Sequence, residues 1–158
     1  MKLYIYKSDI SDTSIFAHQK LKEILQNDFN YQLTNLSYNK YKKPYLTNSD
    51  LFFNISHSKD IVVIAIDTSE IGVDIEFYDR FEEKNMNKIF SEKEVEQITK
   101  SNNPHKEYSK FWCMKESLLK CIGTGLKIDM RNVLDNEDEF IFEIIEKDNY
   151  LISVCKRK

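Results

Sequence analysis

Two acidic residues stand two positions apart in the segment IGVDIE, residues 71–76. On a β-strand, Asp74 and Glu76 share one face and the apolar side chains take the other, because successive side chains alternate. Carboxylates at this spacing lie about 7 Å apart, close enough to converge on one hard cation. A solvated strand face is the ordinary explanation of such a pair. Here Gly72 clears space on the acidic face, so the segment indicates a candidate metal site.

A second group of reactive side chains lies on a predicted helix that ends near residue 122. Lys115 emerges from the middle of its apolar stripe, while Glu116 and Lys120 are four residues apart and share a face. Taken singly, a lysine that covers apolar surface and a helical ion pair explain these residues. Together they place two ammonium groups and a carboxylate beside Trp112, which a merely solvated helix does not need.

Histidine and glycine add two smaller signals. His57 follows the run FNIS at a strand-to-turn junction, where a single histidine is usually only a turn residue. The three glycines of the chain, Gly72, Gly123 and Gly125, all fall in or beside the segments above. Glycine tolerates backbone conformations that other residues avoid, so these segments are expected to need unusual backbone geometry.

The hydrophobic pattern predicts the elements that position these residues. Strands are expected at residues 3–6, 51–56, 61–66, 71–76, 139–145 and 150–156, and helices at 14–26, 81–90, 91–100 and 108–122. The run IVVIAI is apolar on both faces and predicts a central, covered strand. Ser91 and Glu94 have the spacing of a capping box. This order predicts one α+β domain over residues 1–158, built from two related halves at about 1–68 and 69–158.

Composition excludes several classes of protein. The chain of 158 residues has a formal charge of −3, which argues against nucleic acid as its main partner. Its three cysteines form no C-x-x-C pair and its three histidines are far apart, so no zinc spacing is present. No segment approaches the roughly 20 apolar residues of a membrane span. We therefore expect a soluble, cytoplasmic protein without a membrane partner.

These segments, in this order, resemble the 4'-phosphopantetheinyl transferases, specifically the larger two-halved type that activates peptide and polyketide synthetases. The matching motifs run from Tyr41 to Leu126: K-P at 43–44, F-N-I-S-H-S at 53–58, G-V-D-I-E at 72–76, F-S-x-x-E at 90–94, W-x-x-K-E-S-x-x-K at 112–120 and G-x-G-L at 123–126. A single G-V-D motif would be weak evidence for this family, but the complete set of motifs in this order is specific for it. The resemblance implies two similar α+β halves related by a pseudo-twofold axis, with coenzyme A in the cleft between them.

The resemblance also implies a reaction and roles for individual residues. The phosphopantetheine arm of coenzyme A passes to a serine of an apo acyl or peptidyl carrier protein, and adenosine 3',5'-bisphosphate leaves. Asp74, Glu76 and Glu116 are expected to hold Mg²⁺, Glu116 to accept the serine proton as well, and Lys120 to neutralise the leaving phosphate. The residues expected to bind coenzyme A are Lys43, Pro44, Ser56, His57, Asp74, Lys115 and Lys120. With both halves in one chain, a monomer is expected.

The first forty residues depart from the family pattern. The N-terminal half is expected to lack a helix between residues 6 and 14. There is also no arginine where family members usually bind the 3'-phosphate of the coenzyme, since the chain has only Arg80, Arg131 and Arg157. Two alternatives stay open. One is a non-catalytic or weakly active homologue that binds coenzyme A or a carrier protein. The other is a metal-dependent nuclease using Asp74, Glu76 and Lys115, against which the acidic net charge counts.

Overall fold

The structure, a computed structural model, describes residues 1–34, 36–125, 129–135 and 137–158. The strands are β1 (Lys2–Lys7), β2 (Ser37–Tyr38), β3 (Pro44–Tyr45), β4 (Phe52–Ser58), β5 (Ile61–Asp67), β6 (Ile71–Phe77), β7 (Phe140–Glu146) and β8 (Tyr150–Arg157). The α-helices are α1 (Thr13–Phe29), α2 (Met86–Ile89), α3 (Glu92–Lys100) and α4 (Pro104–Ile122). Within these described ranges, no helix combines the length and the apolar content needed to cross a bilayer.

The first half is a three-stranded antiparallel sheet covered by α1. Its order is β1-β5-β4, so β5 lies in the middle as its two-sided apolar sequence predicts. Val62, Ile64 and Ile66 of β5 pack with Leu21 and Leu25 of α1 in one apolar cluster. The alternate residues of β5 turn to the other side of the sheet, which explains why the strand is apolar on both faces.

The second half repeats this arrangement. Its sheet has the order β6-β8-β7, and α4 packs on one face of it. In each half the chain forms an edge strand, a long helix and a hairpin, and the last strand inserts between the other two. The α+β architecture is therefore confirmed. We propose that these are the two halves of one duplicated domain, joined near residue 68.

The two sheets pack together through their apolar faces. Val63 and Ala65 of β5 lie in one buried cluster with Val73 of β6 and Val154 of β8. The side-chain oxygen of Asn54 on β4 also accepts a hydrogen bond of 2.9 Å from the backbone nitrogen of Val73. Because its apolar face is used in this way, β6 turns its acidic face toward α4.

One predicted element is wrong. Residues 81–90 do not form a continuous helix, because the first half holds only the 3₁₀ turn Glu83–Asn85 and α2 spans only four residues. The rings of Phe81 and Phe90 both pack edge-on against Tyr108, at centroid distances of 5.4 and 4.9 Å. The segment follows the surface of this ring, so tertiary packing overrides the helical spacing.

Two helix starts are set by capping residues. The predicted capping box is confirmed: the Ser91 hydroxyl accepts from the backbone nitrogen of Glu94, whose carboxylate accepts from that of Ser91. α4 begins earlier than its apolar pattern indicates. The Asn103 side chain caps it by accepting from the backbone nitrogen of Lys106, and Pro104 occupies the first turn, where a missing N–H costs nothing.

Candidate active site

α4 lies directly on the acidic face of β6, and Gly72 is the reason it can do so. A Cβ at this position would stand 2.0 Å from the carbonyl oxygen of Ser117 and 2.3 Å from the backbone nitrogen of Cys121. The hydroxyl groups of Ser117 on α4 and Ser153 on the neighbouring strand β8 form a 2.8 Å hydrogen bond. This close approach brings Glu116 and Lys120 of the helix to the carboxylates of the strand.

Gly72→Ala is expected to destabilise the protein by roughly 3 kcal/mol, the upper part of the range for overpacked sites, because backbone atoms cannot move aside. Gly125→Ala is the matched control. No atom of the described residues lies within 4 Å of a Cβ built there, so the positive φ of +64° is what opposes the change, at a cost of about 1 kcal/mol. Urea unfolding of both variants measures the difference. Equal losses would show that the contact at Gly72 is not tight.

Asp74 is the centre of the site. Its side chain is buried, with 4% of the residue exposed. One oxygen, Oδ1, accepts from Lys120 Nζ at 2.6 Å and from the Ser56 hydroxyl at 2.8 Å, and Lys120 also donates to Ser56 at 2.9 Å. The other oxygen, Oδ2, is buried and has no hydrogen-bond partner among the residues that the structure describes. A buried carboxylate oxygen without a donor is a costly arrangement that a bound cation would relieve.

Two further carboxylates add negative charge around Asp74. Burial, and next the charge of Asp74, raise the pKa of Glu76 to about 7, although Arg80, Trp112 and Lys120 oppose the shift. Burial and Asp74 likewise raise the pKa of Glu116, while Lys120 and Arg80 lower it. These shifts mean that ionisation of each group is penalised in the absence of a cation. Three carboxylates are the oxygen donors that a hard divalent ion prefers, so their chemistry fits Mg²⁺.

The side chains nevertheless do not form a finished coordination sphere. Among the described residues, no three His, Cys, Asp or Glu side chains converge closely enough to hold an ion as they stand. Instead Asp74 is paired with Lys120, and Glu76 with Arg80 at 2.8 Å. Cations of the protein itself therefore occupy oxygens that a metal would use.

A cavity of about 250 Å³ opens beside Glu116 and Lys120. Its walls come from the segment between β2 and β3, from β4, and from the end of α4: Tyr41, Lys42, Lys43, Pro44, Asn54, Ile55, Glu116, Leu119, Lys120, Gly123 and Gly125. The cavity thus lies between the two halves, where the motifs predict the coenzyme. Leu126, the last residue of those motifs, is outside the described residues.

Lys43 and Pro44 both line this cavity, but the ammonium group of Lys43 has other partners. It donates to the carbonyl of Cys121 at 2.7 Å, near the end of α4. Asn39 supports the same loop by donating to the carbonyl of Gly123 at 3.2 Å and accepting from the backbone nitrogen of Lys43 at 2.9 Å. The aliphatic part of the Lys43 side chain therefore forms part of the cavity wall, while its ammonium group stabilises the C-terminal end of α4. Nothing in the sequence context of Asn39 indicates this role.

Ser56 and His57 are adjacent on β4, and their side chains contact different parts of the molecule. Ser56 is buried and joins the Asp74–Lys120 cluster. His57 is exposed, and its Nδ1 lies 3.1 Å from the hydroxyl of Thr13 at the start of α1. Since successive residues of a strand face opposite sides, Ser56 and His57 point away from each other. Contact of His57 with the coenzyme stays a prediction.

Lys115 requires a correction. It is completely buried, and its Nζ lies 2.9 Å from Glu94 Oε2 and 2.7 Å from the carbonyl oxygen of Met130. Burial lowers the pKa of this ammonium group, and the pair with Glu94 opposes the shift. Lys115 and Glu116 are adjacent on a helix, so they point in directions about 100° apart. Lys115 is thus not positioned to bind phosphate, and the alternative nuclease site loses its lysine.

Glu76 also predicts how the stability of the metal-free protein depends on pH. Its folded pKa of about 7 exceeds the ordinary value of 4.5, so the folded state holds this proton more tightly than the unfolded chain. Stability should fall as pH rises from about 4.5 to 7 and then level off. Relative to wild type, Glu76→Gln should gain about 1–3 kcal/mol between pH 5 and pH 8. Urea unfolding in EDTA tests this, with Glu96→Gln on an exposed helix face as control. Parallel pH profiles for Glu76→Gln and wild type would contradict it.

Comparison with known proteins places this site in a family. The family model described as the 4'-phosphopantetheinyl transferase superfamily matches residues 70–156. The 4'-phosphopantetheinyl transferase gsp of Aneurinibacillus migulanus is 35% identical over 96 residues, which cover 60% of this chain and 40% of that protein. The 4'-phosphopantetheinyl transferase Sfp of Bacillus subtilis (strain 168) is 34% identical over 94 residues, covering 58% and 42%. The chain therefore matches about two fifths of the length of these relatives.

A solved structure, that of holo-[acyl-carrier-protein] synthase from Neisseria meningitidis, aligns with a TM-score of 0.48 at 15% identity, over 56% of this chain and 97% of that one. The family model, by contrast, runs from the start of β6 to the end of β8 and includes α4, which together carry Asp74, Glu76, Glu116 and Lys120. That match spans more than half of the 158 residues, so the chain belongs to the 4'-phosphopantetheinyl transferase superfamily.

Proposed function

We propose that the chain transfers the 4'-phosphopantetheine arm of coenzyme A to a serine of an apo acyl or peptidyl carrier protein, with Mg²⁺ and with release of adenosine 3',5'-bisphosphate. The observation that supports this most strongly is Asp74. Its Oδ2 is buried without a donor among the described residues, and its charge helps to raise the pKa of Glu76 and of Glu116, which lines the cavity. A site of this kind suits a cation and a phosphorylated substrate.

Asp74, Glu76 and Glu116 are the residues that would hold Mg²⁺. When bound, the ion would supply positive charge against the pyrophosphate of coenzyme A, where negative charge accumulates during transfer. Its ligands come from β6 and α4, two rigid elements that Gly72 holds in contact. Rigid placement of charge is what phosphoryl transfer chiefly requires.

Glu116 is suited to accept the proton of the carrier serine. It lines the cavity, is half-buried, and has a pKa above the ordinary glutamate value, which moves its basicity toward the working pH. As the serine oxygen forms its bond to the β-phosphorus, its proton passes to Glu116. The bond between that phosphorus and the bridging oxygen breaks, and the electron pair leaves with adenosine 3',5'-bisphosphate.

Lys120 is suited to neutralise the leaving phosphate. Its ammonium group lies between Asp74 and Ser56 at the edge of the cavity, so it can exchange these neutral and anionic acceptors for a phosphate oxygen. Pro44 and the stem of Lys43 would form the facing wall. Because both halves of the cleft belong to one chain, a monomer suffices for this arrangement.

The decisive experiment is incubation with coenzyme A, Mg²⁺ and a panel of apo carrier proteins, followed by intact-mass measurement. A carrier should gain the mass of one phosphopantetheine, and EDTA or replacement of the carrier serine by alanine should abolish the gain. No modification of any fatty-acid, polyketide or peptide-synthetase carrier would refute the proposal. Calorimetric binding of coenzyme A without transfer would instead support the competing function, a non-catalytic homologue. That function is favoured by the ion pairs that occupy Asp74 and Glu76.

A further inference from the structure

Arg80 is a charged residue at the site that lies outside all of the family motifs. It ends the 3₁₀ turn Tyr78–Arg80 that follows β6, and its Nη1 lies 2.8 Å from Glu76 Oε1. Its guanidinium carbon also lies 4.3 Å from the centroid of the Trp112 ring on α4. The Arg80 side chain is 43% exposed, whereas that of Glu76 is 10% exposed. A partly solvent-accessible cation is thus held against a buried carboxylate by an aromatic ring.

The other charged groups of the site indicate how the contact between Arg80 and Glu76 affects metal binding. Asp74, Glu76 and Glu116 contribute three carboxylates, and Lys120 and Arg80 contribute two cations within hydrogen-bonding distance of the two on β6. A divalent ion bound by these carboxylates must share or displace the protein's own cations. Lys120 lines the cavity, where its ammonium group can bind a phosphate of the substrate after it leaves Asp74. Arg80 does not line the cavity, so its positive charge opposes the metal without that compensation.

We propose that Arg80 competes with the divalent metal for Glu76 and thereby weakens metal binding when no coenzyme is present. On metal binding, the guanidinium releases Glu76 and keeps its place over Trp112. Arg80 is therefore a positioning residue for Glu76 that sets the affinity of the metal site. This inference rests on the proposed function only in requiring that the carboxylates bind a divalent ion.

The test is a calorimetric titration with Mn²⁺, without coenzyme A or carrier protein, at pH 8.5, above the raised pKa of Glu76 in the wild type. Arg80→Gln should bind Mn²⁺ about tenfold more tightly than wild type, a coupling of ordinary size between two competing charges. Arg80→Lys keeps the positive charge and should stay within about threefold of wild type. Arg131→Gln is the control, because Arg131 is exposed and pairs with Asp129 outside the site, and it should leave the affinity unchanged.

Three results would overturn the inference. These are an unchanged Mn²⁺ affinity in Arg80→Gln, equal tightening in Arg80→Lys, or no Mn²⁺ binding by either Arg80 variant or wild type at millimolar concentration. The outcome is separable from that of the transfer assay, since the titration contains neither substrate. If the protein modifies carriers efficiently but Arg80→Gln binds Mn²⁺ with the wild-type affinity, only this inference is refuted. A protein that never modifies a carrier but binds Mn²⁺ more tightly as Arg80→Gln refutes the proposed function alone.

Discussion

Glu116→Gln is expected to reduce turnover by roughly 10²–10⁴-fold, the usual contribution of a positioned general base. Glutamine keeps the shape of the side chain and one oxygen that can ligate a metal, but it cannot accept the serine proton. Asp74 and Glu76 are unchanged in this variant, so coenzyme A should still bind, weakened about tenfold at most by loss of one charge-assisted contact. Steady-state rates of transfer to a carrier protein measure the turnover, and calorimetry measures the affinity for coenzyme A.

Glu76→Gln is the matched control for this prediction. It removes a proposed metal ligand from β6 without touching the proposed base on α4, so raising the Mg²⁺ concentration should restore much of its rate. The measurement is a titration of rate against Mg²⁺ for both variants. If high Mg²⁺ restores Glu116→Gln as fully as Glu76→Gln, then Glu116 is only a ligand, and the serine proton goes to solvent.

The parts of the fold and site that the sequence predicted are those governed by local periodicity. Alternation along residues 71–77 fixes which face of β6 is acidic, and Gly72 marks where another backbone approaches. The two-sided apolar run of β5 likewise predicts a central strand, because only a covered strand tolerates it. Helical spacing on α4 places Glu116 and Lys120 on one face, and the structure puts that face on Asp74.

The parts that could not be predicted depend on partners distant in the chain. Helical spacing shows that Lys115 leaves the apolar face, but only the tertiary structure shows that Glu94 of α3 and the carbonyl of Met130 surround its charge. Arg80 is similar, since its contacts with Glu76 and Trp112 depend on a short 3₁₀ turn, Tyr78–Arg80, that the pattern does not predict. Long side chains reach partners that periodicity does not identify.

Lys115→Met is expected to destabilise the protein by about 3–5 kcal/mol, because removing one partner of a buried ion pair leaves the other charge uncompensated. The carboxylate of Glu94 would keep its hydrogen bonds from Ser91 but lose the ammonium group, and the carbonyl of Met130 would lose its donor. Lys110→Met is a control on the same helix. Its partner Glu107 is partly exposed, so the loss should stay within about 1 kcal/mol. Urea unfolding of the metal-free variants measures both.

A double variant separates this interior role from phosphate binding. Lys115→Met combined with Glu94→Gln removes both charges, and glutamine can still accept from the backbone nitrogen of Ser91, so the pair should recover a large part of the lost stability. Because Lys115 lies away from the cavity, the folded double variant should bind coenzyme A with an affinity within about threefold of wild type, as expected for a site with no direct contact. A loss of coenzyme affinity that exceeds tenfold, in a double variant whose stability has returned, would show that Lys115 leaves Glu94 to meet phosphate when the coenzyme binds.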